Sequence, residues 1–183
     1  MRKIVFNLLL SFFVSIIPSI NCFGQKQFVS FETTNNSNIV CQGSVLGIIA
    51  NINPEYANYK KFEWQFNKEN FNKVKDEIAT VNTSLPGEKK LVFSIILVND
   101  QQLDTVIYVK VLPKPTVSIY FLDNCIKTKE NNIDVESYKW MFNNLLVDKF
   151  HNQPYNEPQA GLYRVIVKDM NGCTGISEPI QVK

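Results

Sequence analysis

Short apolar runs alternating with polar clusters dominate the chain from about residue 27 onward. Phe62, Trp64 and Phe66 alternate with Glu63 and Gln65, and Tyr163, Val165 and Val167 alternate with Leu162, Arg164, Ile166 and Lys168. That period of two marks strands with one face buried and the other wet. Residues 91–98 are almost wholly apolar and predict a central strand covered on both sides or bordering a domain interface. Similar patterns predict strands at 27–33, 45–52, 60–66, 90–98, 105–112, 116–122, 138–142, 162–168 and 179–183, separated by Asn, Asp, Gly and Pro clusters. The charged stretch 70–79 reads as a loop or a short helical turn, and no stretch has convincing helical periodicity. The expected class is all-β, with sandwich architecture.

An internal repeat divides the chain. Phe62-Glu63-Trp64-Gln65-Phe66-Asn67 and Tyr138-Lys139-Trp140-Met141-Phe142-Asn143 share the pattern aromatic-x-Trp-x-Phe-Asn. Between them lies Leu112-Pro113-Lys114-Pro115, where two prolines fix φ and cannot donate to a central ladder. The expected domains are therefore 25–113 and 114–183.

The first residues change what those domains meet. Met1-Arg2-Lys3 precedes an apolar run, Ile4 to Ile17, that Pro18 and Asn21 end short of the ~20 residues a membrane span needs. Residues 1–24 read as a cleaved signal peptide, with the cut before Gln25; the rival reading makes Cys22 a lipidated first residue. No later stretch has that uninterrupted hydrophobicity, so no transmembrane segment is expected in the mature chain. Removing Arg2 and Lys3 from the 19 basic residues leaves 17 against 17 acidic ones. A neutral chain without a basic block lacks the electrostatic footprint for nucleic acid.

Export also places cysteines in an oxidising compartment. Cys41, Cys125 and Cys173 allow three single bridges, each leaving one thiol over. The second domain is the smaller, gains most from a staple and holds two of the three cysteines. A Cys125–Cys173 disulfide is expected on that ground, with Cys41 unpaired.

The string Gly161-Leu162-Tyr163-Arg164-Val165-Ile166-Val167-Lys168-Asp169-Met170-Asn171-Gly172-Cys173-Thr174, with Tyr138 and Trp140 upstream, resembles the immunoglobulin-like and PKD-like modules of secreted and surface proteins of Bacteroidetes-type bacteria. In the first domain Cys41-Gln42-Gly43 and Phe62-Glu63-Trp64 resemble the same family, whereas Asn99-Asp100-Gln101-Gln102 departs from its Gly-Cys turn. The resemblance implies two tandem immunoglobulin-like β-sandwiches, a hairpin at Asn171-Gly172 and a tyrosine corner at Tyr163.

Candidate chemistry is sparse. His151 is the only histidine and lies in a polar loop without a nucleophile-elbow context. Asp169-Met170-Asn171-Gly172 opens like a calcium loop, but Ile180 stands where the closing Glu belongs. Trp64 and Trp140 read as core residues. Asp104-Thr105-Val106 resembles a short O-glycan acceptor, with a plain strand residue as the alternative. No catalytic, cofactor-binding or metal-ligating residue is assigned and no cofactor is expected. The expected function is a non-enzymatic adhesive, structural or interaction protein, secreted or in the cell envelope, with a protein or glycan partner at the cell surface. The alternatives are a carbohydrate-binding module using the loop aromatics Tyr56, Tyr59, Phe150 and Tyr155, and a small hydrolase.

Overall fold

A computed structural model describes residues 27–131, 134–147, 155–156 and 158–183. The signal-peptide reading, Cys22, Phe150 and His151 lie outside the described residues. The described chain is built of strands, with one short 3-10 turn at Pro54–Tyr56.

The N-terminal half contains β1 (Val29–Thr33), β2 (Ile39–Cys41), β3 (Gly47–Ile52), β4 (Tyr59–Trp64), β5 (Phe71–Lys75), β6 (Ile78–Val81), β7 (Gly87–Leu97) and β8 (Gln102–Leu112). They form two sheets, β1-β3-β6-β5 and β2-β8-β7-β4, the pairs being antiparallel except for β2, which runs parallel to β8. Lettered in chain order, these are an A-B-E-D sheet and a C-F-G sheet with a split first strand, the immunoglobulin arrangement. Apolar side chains at alternate positions point between the sheets: Val29, Ile48, Ala50, Phe71, Ala79 and Val81 from one, and Val40, Trp64, Leu91, Phe93, Ile95, Ile107, Val109 and Val111 from the other. Phe31 crosses to Trp64 with ring centroids 5.5 Å apart, and Trp64 meets Phe93 at 5.1 Å.

The C-terminal half contains β9 (Val117–Leu122), β10 (Cys125–Glu130), β11 (Val135–Phe142), β12 (Leu145–Val147), β13 (Tyr155–Asn156), β14 (Gly161–Asp169), β15 (Thr174–Ile176) and β16 (Ile180–Val182). Its sheets are β13-β10-β9 and β12-β11-β14, with β15 and β16 sharing one edge of β14. Ser177 makes the break between those two short strands: its backbone N–H donates to the Val165 carbonyl and its Oγ accepts from the Val165 N–H at 3.0 Å. A second buried cluster, Ile119, Ile126, Trp140, Tyr155, Tyr163, Val165, Val167 and Val182, fills the space between these sheets.

Three differences from the sequence reading have physical causes. The undecided stretch 70–79 is a hairpin, β5 and β6, turned by Asp76-Glu77 with Asp76 at φ 52°. Its charges are outward and its inward positions are Phe71, Ala79 and Val81, a pattern that a register shift between Phe71 and Lys73 conceals from a strict count of two. Phe66 lies beyond the end of β4, is 53% exposed and stacks on Phe71. Two tight hairpins without glycine were also missed: Asp123-Asn124 and Asn143-Asn144 carry positive φ at both positions, which short amide and carboxylate side chains tolerate.

The disulfide is a correction. Cys41 is bonded to Cys173, with Cα atoms 5.5 Å apart, and Cys125 is the free cysteine among the described residues. The reason is topological. Cys41 ends β2 opposite Leu112, where β8 leaves the first half, and the Cys173 turn lies beside the connecting segment 113–116. β9 runs away from that segment for six residues, about 20 Å. Cys125 pairs with Leu122 at its far end, out of reach of Cys173.

Candidate functional site

The most elaborated polar region surrounds the 113–116 segment. It is built from the β14–β15 turn upward. The Asp169 carboxylate, 7% exposed as a residue, accepts the backbone N–H groups of Asn171 at 2.9 Å and Cys173 at 2.8 Å. Gly172 takes φ 84°, which its missing Cβ permits, and its N–H returns to the Asp169 carbonyl. The carboxylate that opened like a calcium loop therefore organises a hairpin, and the hairpin carries Cys173 to Cys41.

From the other side, Gln42 spans the junction. Its backbone N–H donates to the Leu112 carbonyl, its amide nitrogen to the Ser84 carbonyl at 2.8 Å, and its amide oxygen accepts from the Lys114 N–H at 3.2 Å. Gly175 lets β15 approach the connecting segment: a Cβ there would stand 2.0 Å from the Pro115 carbonyl oxygen. Clefts open on both sides of this strap. One of about 800 Å³ is lined by Gln42, Ser44, Lys114, Thr116, Thr174 and Glu178; another of about 700 Å³ is lined by Lys114, Asn131, Asp134, Asp169 and Asn171. They hold scattered polar groups, and no cluster of three or more His, Cys, Asp or Glu able to hold a metal occurs among the described residues.

The described loop aromatics, Tyr56, Tyr59 and Tyr155, do not converge. Tyr56 closes the 3-10 turn capped by Asn53 and packs edge-on against Phe28 at 6.1 Å. Tyr59 packs edge-on against Phe62 at 5.4 Å, and the two tyrosines line separate shallow clefts. Tyr155 is a correction: it is 9% exposed and wedged between Trp140 and Tyr163, with centroids 5.5 and 5.2 Å away, so it is core. A two-residue strand pairing with β10 turns it inward. Thr105 stands on the same side of β8 as buried Ile107 and Val109, which disfavours it as a glycan acceptor.

The tyrosine corner is present. Tyr163 Oη donates to the Gln159 carbonyl at 3.0 Å, tying the start of β14 to the preceding loop. Burial, reinforced by neighbouring Tyr155, raises its pKa above the ordinary tyrosine value, so the hydroxyl stays protonated at neutral pH. Trp64 and Trp140 are both buried, as their pattern predicts. Trp64 Nε1 donates to the Glu77 carbonyl at 3.1 Å, whereas Trp140 Nε1 has no hydrogen-bond partner among the described residues.

No helix among the described residues is long and apolar enough to cross a membrane. No protein-family model matches the sequence, and no curated protein matches it. Among solved structures, the chain is similar to the fibronectin(III)-like modules of Clostridium thermocellum CbhA, with 13% identity over 84% of this chain and 94% of that one, at a TM-score of 0.38. It is similar to murine CEACAM1b, with 11% identity over 85% and 98% of the two chains and a TM-score of 0.40. A third likeness is to the Bacteroides ovatus mixed-linkage glucan utilization locus protein SGBP-B, solved with a mixed-linkage heptasaccharide: 15% identity over 79% of this chain and 42% of that one, TM-score 0.31. These superpositions are loose, so the immunoglobulin-like sandwich assignment rests on the strand order, the facing apolar rows and the tyrosine corner.

Proposed function

We propose that this chain is an exported, non-enzymatic interaction or structural module of the cell envelope or exterior, of the kind its Asn-Gly-Cys-Thr turn resembles in Bacteroidetes-type bacteria. Residues 1–24 act as its signal peptide, and 25–113 and 114–183 as two tandem sandwich domains. The observation that carries the reading is the Cys41–Cys173 bond. Disulfides persist in oxidising compartments, which favours export.

The placement of the bond favours a presenting role over a catalytic one. Among the described residues no buried apolar residue is shared between the two clusters, and such junctions flex by default. A second covalent tie beside the 113–116 connection holds the two sandwiches at one angle, so loops at their ends keep a fixed separation.

Peptide mapping of the exported protein without reduction should recover Cys41 linked to Cys173 and an N-terminus at Gln25. Small-angle scattering should show a broader, more extended ensemble for the Cys41→Ser/Cys173→Ser double variant. A free Cys41 in the exported protein, or superimposable scattering from the variant, would overturn the rigid-module reading.

A further inference from the structure

We infer that the outer face of the β4-β7-β8 sheet is a contact surface for a second copy of this chain. The face is ordered in rows by strand register. Lys61, Ile96 and Gln102 form the first row, Glu63, Ser94 and Asp104 the second, and Gln65, Val92 and Val106 the third. Lys90 and Tyr108 form the fourth, and Glu88, Lys110 and Ile39 the fifth. The middle is apolar: Val106 is 39% exposed, Val92 is half-buried beside it, and Tyr108 is 51% exposed in the next row.

The charges on either side of that middle are opposite in sign and incompletely matched within the chain. Among the described residues Asp104 accepts only from a neutral partner, Gln102 Nε2 at 2.8 Å. Neither Lys90 nor Lys110 has an ion-pair partner among the described residues. A two-fold axis lying in the face, perpendicular to the strands and through the Val92–Val106 row, reverses the row order in the opposing copy. It sets Val106 against Val106, Asp104 against the Tyr108–Lys90 row, and Lys61 near Glu88. An isologous interface must be complementary to itself in this way. The outer face of the opposite sheet lacks such a middle: its one apolar row, Ile49 and Ile78, is bracketed by Glu32 and Lys75.

Five rows at about 6.8 Å by three strands at about 4.8 Å give roughly 500 Å² of face per copy. That is below the ~800 Å² per partner of a standard stable interface, so the association is weak and concentration-dependent. Sedimentation velocity tests it in a Cys125→Ser background, which removes linkage through the free thiol. A monomer–dimer equilibrium is expected in the high-micromolar range. Lys90→Glu and Asp104→Lys should each weaken it about tenfold or more, because each sets like charges face to face. The two together should restore it to within about threefold, with unchanged melting temperature. A chain that stays monomeric to about 1 mM, or a dimer indifferent to both single changes, would overturn the inference.

Discussion

The two halves use the same aromatic-x-Trp-x-Phe-Asn string on corresponding strands, β4 and β11, and support it differently. In the N-terminal half Trp64 is one of fifteen buried residues and packs against Phe31, Phe71 and Phe93, and its indole N–H is satisfied by the Glu77 carbonyl. In the C-terminal half Trp140 is one of eight buried residues among those described and leans on Tyr155, which in turn packs on Tyr163. Even the repeated asparagine diverges. Asn67 caps a turn through the Glu69 N–H, whereas Asn143 exchanges hydrogen bonds with Leu162 across two strands. The smaller half compensates with polar devices: a tyrosine corner, an Asp-centred turn and a bond to its neighbour. A repeated sequence string thus specifies a strand and its inward residue, while the surroundings decide how firmly each is held.

The largest effect should come from removing the tryptophans. Either Trp→Ala change costs about 3–5 kcal/mol through lost burial and the cavity left behind. Trp140→Ala should abolish slow amide exchange throughout 117–183, because a small core has little to spare. Trp64→Ala should leave its half folded but less protected. Equal loss of protection in the two halves would show that their cores are not the unequal pair described above.

Next in size is the crosslink. A bond closing a separation of 132 residues contributes about 2–5 kcal/mol, and Cys173→Ser should remove it. The loss should fall mainly on the C-terminal half, measured as a lower midpoint of its unfolding transition in urea. A shift confined to the N-terminal half would contradict the idea that the bond supports the smaller core.

Much of this architecture was legible in the sequence, and the failures are informative. Alternation around Trp64 and Val165 located β4 and β14 because each has one buried face. Gly161-Leu162-Tyr163 located the corner because the geometry is local. The Cys41–Cys173 bond was not legible, since it depends on a three-residue strand, β2, finding a parallel place beside β8 some 70 positions later. The size argument for Cys125 assumed that a staple serves one core; here it joins two. Tyr155 was misread because it flanks a polar loop, and only its pairing with Ile126 turns it inward. The self-complementary face needed the register of three strands, which no window of sequence contains.

The Asp169 turn separates the halves in another way, because the corresponding N-terminal turn at Asn99-Asp100 has no buried carboxylate. Asp169→Ala leaves the Asn171 and Cys173 N–H groups without their acceptor and should cost about 1–3 kcal/mol. It should also slow formation of the Cys41–Cys173 bond during oxidative refolding, read as free thiol against time. Normal oxidation kinetics in a destabilised variant would mean that the turn supports the fold without positioning Cys173.

The smallest effect concerns the corner itself. Tyr163→Phe removes one hydrogen bond to Gln159 while keeping the ring between Phe142 and Tyr155, so it should cost about 0.5–1.5 kcal/mol. The pH dependence gives a second readout with a definite sign. The folded pKa of Tyr163 lies above the ordinary tyrosine value of 10.0, so above that value the native state holds a proton that the unfolded chain has lost. Stability from this group is complete below pH 10.0 and declines as pH rises toward the folded value. Urea midpoints of the C-terminal half, measured through that window, should therefore fall less steeply in Tyr163→Phe than in the parent. Parallel slopes would show that the tyrosine's proton is not held by the fold.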